Sequence, residues 1–192
     1  MGRPRKFDEE VVLERAMLLF WRRGYDGTST GVLLDVMGMT NSSLYQAFGS
    51  KAELFRRVTE RYRSGPLAFR LVALAEATPR AVVEKVLSGT VALLSGPDRP
   101  PGCLEVVGGL PAAQADAAVR ELLIGKRAVL RELLRERLEA VAGPDGMPGG
   151  ITAADMAALV ATVAHGLAVQ AGDGMDRAGM QRVVAAFMAG WD

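Results

Sequence analysis

The sequence predicts an all-α protein: a three-helix N-terminal domain containing a helix-turn-helix, joined to a larger helical domain. Three observations carry this. Apolar residues recur at helical spacing along most of the chain, and no segment alternates as a strand does. Ser29, Thr40, Ser50, Thr78 and Thr152 stand just ahead of such runs, where a side-chain oxygen can cap the first amides. Gly24, Gly38 and Gly65-Pro66 fall where those runs stop.

The chain has 192 residues, long enough to bury a core without disulfide staples. Its one cysteine, Cys103, cannot pair internally, which fits a reducing cytoplasm. No uncharged apolar run reaches the roughly 18 residues of a membrane helix, so no span is expected. The start is basic but passes directly into Phe7-Asp8-Glu9-Glu10, without the apolar stretch of a secretion signal. Net charge is +1, unevenly spread. Residues 1–63 hold 11 Lys/Arg and 8 Asp/Glu, a balance of +3, and residues 64–192 hold 12 and 14, a balance of −2. The basic excess therefore lies with the helix-turn-helix, as an electrostatic footprint on DNA requires.

Taken in order, residues 1–6 form a basic arm, Gly-Arg-Pro-Arg-Lys after Met1. Arg3 and Arg5 could enter a narrow minor groove, or simply be solvated. Asp8 is placed to cap the first helix, with Phe7 as a staple onto Val12. Val12, Ala16, Leu19 and Phe20 share its core face, and Gly24 ends it. Ser29 opens a second helix with Leu33, Val36 and Met37 on one face, and Gly38 closes it. Thr40 opens a third, with Leu44 and Phe48 apolar and Asn41, Ser42, Ser43, Tyr45 and Gln46 polar. Two short helices around a glycine turn, the second with a hydrogen-bonding surface, form a helix-turn-helix whose second helix enters the major groove. Ser50-x-x-Glu53 reads as a capping box for the fourth helix. Lys51 lies in its first turn, where the helix dipole disfavours a cation unless a phosphate sits there too.

Phe20 to Tyr25, Thr28-Ser29, Gly38, Ser43-Leu44-Tyr45, Phe48 and Ser50 to Phe55, in this order, resemble the DNA-binding domain of the TetR family of transcriptional regulators. The resemblance covers about the first third of the chain. It implies a DNA-binding domain at 1–50 and a helical effector-binding and dimerisation domain at 51–192. It implies that Asn41, Ser42, Ser43 and Gln46 face base edges. It further implies that Thr28, Ser29, Thr30, Tyr45 and Lys51 contact phosphates of double-stranded, palindromic operator DNA. Gly31 and Ala47 depart from residues common in the family, which leaves few base contacts and no deducible operator.

Beyond Gly65-Pro66, Thr78-Pro79 starts a helix carrying Val82, Val83, Val86, Leu87 and Val91. A loop at 96–102 leads to a short apolar piece, Cys103 to Leu110, that contains Glu105. Val119 to Val141 is the longest predicted helix, with Arg131, Glu132, Arg135, Glu136, Arg137 and Glu139 on a solvated face. The last two helices are rich in apolar and small residues. By resemblance they pair with a partner's in a homodimer, through Met156, Val160, Val163, Leu167, Val184 and Phe187; ordinary packing within one chain is the alternative.

An enzyme is not expected. One histidine, His165, and one cysteine make neither a zinc site nor a convincing nucleophile pair, and no phosphate loop follows a strand. No cofactor or metal is expected. The reading is a cytoplasmic, dimeric repressor released from DNA by a small, largely apolar effector. Control by a protein partner, or by no ligand at all, is the competing reading.

Overall fold

A computed structural model describes residues 8–107, 116–143 and 147–191. The expected roles of Arg3, Arg5 and Phe7 lie outside the described residues. Among the described residues ten α-helices follow one another: α1 (Glu9–Arg23), α2 (Thr30–Met37), α3 (Asn41–Phe48), α4 (Lys51–Ser64), α5 (Phe69–Ala73), α6 (Pro79–Leu94), α7 (Leu104–Val107), α8 (Ala117–Val141), α9 (Ala153–Gly172) and α10 (Arg177–Met188). No strand occurs among the described residues.

The boundaries follow from local chemistry. Asp8 accepts from the amides of Glu10 and Val11, Ser29 from Val32, Thr40 from Ser43 and Thr78 from Ala81. Each thereby satisfies an amide that has no partner within its helix. Gly38 ends α2 at φ 67°, ψ 36°, a left-handed conformation in which a side chain would be strained. The capping box at α4 is only half made. Ser50 Oγ accepts from the Glu53 amide at 3.0 Å, but the Glu53 carboxylate binds the Arg56 side chain instead. A full box forms at α9, between Thr152 and Asp155. The short α5 is a further element that sequence spacing did not mark.

One buried cluster joins α1 to α4 with residues of α6 to α10, and a second lies between α6, α8 and α9. Phe20, Leu33, Leu44, Leu54, Phe55 and Tyr62 are fully buried, so all of the first four helices contribute to the first cluster. Val36 departs from expectation: it is exposed, while Leu33 and Met37 of the same helix are buried. Ion pairs from Arg57 to Glu9 and from Arg61 to Glu10 and Glu14 fix α4 along α1. α4 packs on α1 and α3 and also on α7 and α8, so it belongs to both halves.

Helix α9 is long and apolar enough to cross a membrane by length and composition. It instead packs against α6, α7 and α8. This corrects half of the expected dimer surface. Met156, Val160 and Leu167 are buried within the protomer, and Val163, Val184 and Phe187 are half-buried against the same core. Burial, and not their spacing, puts Met156, Val160 and Leu167 on the inward face. The outward face carries Ala158, Leu159, Thr162 and Gly166 on α9, and Val183 and Ala186 on α10.

His165 is half-buried near Arg70 and Arg127, and burial with those two cations pushes its imidazole down to about 4. The unfolded chain therefore binds a proton between about pH 6.5 and 4 that the folded chain does not. Stability should fall as pH drops through this window. Urea midpoints of the His165→Gln variant should fall less between pH 7 and 4.5 than those of the wild type. Identical pH dependence in the two proteins would refute the assignment.

Candidate nucleic-acid interface

The polar surface of the helix-turn-helix is built on α3. Leu44 and Phe48 are buried beneath it, which turns Asn41, Ser42, Tyr45 and Gln46 to solvent. These four lie at i, i+1, i+4 and i+5, one face of a helix. Tyr45 is 49% exposed, so its hydroxyl projects outward. Ser43 is half-buried, and its hydroxyl is 2.9 Å from that of Thr40. The Ser42 hydroxyl is also near Thr40, at 3.2 Å, but Ser42 remains exposed.

Around this face lie helix starts that can receive phosphate. Ser29 is exposed and Thr30 half-buried at the start of α2, and the Ser29 hydroxyl is used on Val32. At α4, Ser50 takes up the amides of Glu53 and Leu54, which leaves those of Lys51 and Ala52 without an intrahelical acceptor. The Lys51 ammonium stands 4.0 Å from the centroid of the Tyr25 ring. Partial burial lowers its pKa, while Asp26 nearby opposes the shift. A cation held over an aromatic face beside free amides is arranged to take an anion.

Thr28 corrects an expectation. Its side chain is fully buried, and its hydroxyl donates to the Gly24 carbonyl at 2.7 Å. Its amide donates to Tyr25. Thr28 therefore braces the turn between α1 and α2 and has no group left for a phosphate. The sequence distinguishes it poorly from Ser29, because both are hydroxyl residues ahead of a helix.

A buried polar junction links this head to the rest of the protein, and sequence spacing did not reveal it. Trp21 of α1 donates to the Gly102 carbonyl at 2.9 Å. Tyr62 of α4 donates to Cys103 Sγ at 3.4 Å. Burial raises the Cys103 pKa, so this is a packed thiol and not a nucleophile. Glu105, 1% exposed, accepts from Arg70 Nη1 at 3.2 Å and lies 3.9 Å from Arg63 Nε. Arg127 of α8 donates to its backbone carbonyl at 3.0 Å.

A two-helix head with an outward polar face and anion-receptive helix starts defines a DNA-binding protein of the helix-turn-helix class. Residues 12–58 match the bacterial regulatory proteins of the tetR family. Residues 107–191 match the C-terminal domain of BetI-type transcriptional repressors. A cysteine mutant of the TetR family regulator CifR, solved with 26-bp double-strand operator DNA, is 35% identical, with a TM-score of 0.92 over 99% of this chain and 100% of that one. The chain belongs to the TetR family, whose members are transcriptional regulators and not enzymes. Curated relatives include the transcriptional repressor ComR of Escherichia coli, 25% identical over 99% of this chain and 91% of that protein. The E. coli repressor BdcR is 46% identical, over 32% of this chain and 31% of its own length.

Proposed function

We propose that two copies of this protein hold a palindromic operator, with α3 of each copy in the major groove, and that a small ligand in the 51–192 half releases it. The exposed face of Asn41, Ser42, Tyr45 and Gln46 supports the groove reading most directly. Asn41 and Gln46 amides suit adenine edges, and the Ser42 hydroxyl suits several bases. Ser43 is the weakest of the expected readers, because its hydroxyl faces Thr40. Ser29, Thr30, Tyr45 and Lys51 take the phosphates, with Arg3 and Arg5 of the arm in the minor groove. The work on DNA is cytoplasmic. Dimerisation uses the exposed residues of α9 and α10, among them Leu159, Gly166 and Val183, with small residues that permit close helix approach.

Phosphate and base contacts separate experimentally. Tyr45→Phe and Lys51→Ala should weaken binding to all sequences alike, each lowering the salt slope by about one unit. Asn41→Ala should instead relax discrimination at one base pair per half-site, by roughly 1–3 kcal/mol. Fluorescence anisotropy across a salt series measures both. An unchanged slope for Lys51→Ala would remove it from the phosphate set.

A further inference from the structure

The sequence suggests a largely apolar effector, but the structure assigns it a negative charge. We infer that the cleft between the end of α4, α5 and α8 binds a small amphipathic carboxylate. This rests on the reading of the protein as ligand-responsive and specifies the ligand's chemistry. The cleft has a volume of about 330 Å³, near the lower end of the roughly 300–1,000 Å³ typical of small-molecule sites. Leu67, Val129 and Leu133 line it together with three cations, Arg63, Arg70 and Lys126.

Those cations are under-neutralised. Glu60 also borders the cleft, but its carboxylate is bonded to Arg56. Arg63 and Arg70 share the single carboxylate of Glu105. Lys126 has no ion-pair partner among the described residues. The network is also unfinished: buried Arg70 Nε and Glu105 Oε1 have no hydrogen-bond partner. The Glu105 side chain is 2% exposed. A buried polar network left partly satisfied is costly, so the Arg70–Glu105 pairing is held below its full strength. A ligand carboxylate fits between Arg70, Arg63 and Lys126, with its apolar body against the leucines and Val129. An amine would meet three like charges, and a neutral molecule would leave Lys126 without a counter-charge.

Glu105 then acts as the internal competitor. A ligand that draws Arg70 away loosens the side-chain tie on α7. Three residues before Glu105, Gly102 accepts from Trp21 of the DNA-binding head. Ligand charge is thus connected to the position of α1.

Calorimetric titration of the full chain with octanoate and benzoate, each beside its neutral amide, tests this. A carboxylate should bind at least about tenfold more tightly than its amide, the equivalent of one charge-assisted hydrogen bond. Lys126→Gln, at a half-buried position, should reduce that preference, and an unchanged carboxylate-to-amide ratio would count against the inference. Glu105→Gln should strengthen carboxylate binding, whereas a variant that merely damages the fold would weaken it. Absence of carboxylate binding, or amides binding equally well, would overturn the inference. Operator affinity is measured separately with and without octanoate. Tight carboxylate binding that leaves operator affinity unchanged would overturn ligand release but not the ligand's chemistry.

Discussion

A glutamate in place of Val183 is expected to turn the protein into a monomer and to cost about a thousandfold or more in operator affinity. Val183 is 39% exposed on the outward face of α10. Within the proposed four-helix interface it would be buried, and a carboxylate there would lose its water without gaining a partner. A monomer reads one half-site, so its binding falls toward the non-specific level, typically 10³-fold or more below specific binding. The effect should be confined to assembly, because surface substitutions usually change protomer stability by about 0.5 kcal/mol or less. Helical content by circular dichroism should therefore be kept while light scattering reports half the mass. Leu167→Glu makes the contrast: that side chain is buried within the protomer, so the variant should unfold and not simply dissociate. A Val183→Glu protein that remains a dimer would place the interface elsewhere.

The second large effect concerns stability. Phe55→Ala is expected to cost about 3–5 kcal/mol, the range for emptying a large aromatic site in a close-packed core. Phe55 is fully buried. Its ring meets Phe20 edge-on at 4.9 Å and Tyr25 at 5.2 Å. It thus connects α4 to α1 and to the turn before α2, and the substitution would remove both aromatic contacts. For a chain of this length the melting temperature should drop by on the order of 10 °C. Operator binding should weaken as well, because α4, which carries Phe55, packs against α3. A loss below about 1 kcal/mol in urea unfolding would show that the head does not depend on this cluster.

The parts of the fold set by neighbouring residues were legible in the sequence. Ser29, Thr40 and Thr78 cap their helices as their positions suggest, because a cap joins a side chain to an amide only three residues away. Gly38 stops α2 for an equally local reason. The exposed polar face of α3 was legible too, since Leu44 and Phe48 fix which side of the helix is buried. Assignments that needed distant partners were not. Helix α9 is apolar on both its inward and outward faces, so periodicity could not say that Met156, Val160 and Leu167 face the protomer's own core. Ser50-x-x-Glu53 has the spacing of a capping box, but Arg56 one turn on competes for the carboxylate. Glu105 and Arg70 are 35 positions apart, and no pattern along the chain joins a buried carboxylate to a cation on a helix as short as α5. Thr28 was misplaced for the same reason, since only the folded turn shows its hydroxyl committed to Gly24.

The central claim is that this protein reads a two-fold operator through α3, and selection from a random duplex library tests it most directly. Purified full-length protein is carried through several rounds of binding at physiological salt, and the recovered sequences are then titrated individually. The expected product is a palindrome whose half-sites are centred about one helical turn, 34–36 Å, apart or a multiple of it. Asn41→Ala and Gln46→Ala should select altered half-sites at the same spacing. Recovery of unrelated sequences, with affinities no better than scrambled DNA at the same salt, would contradict the account.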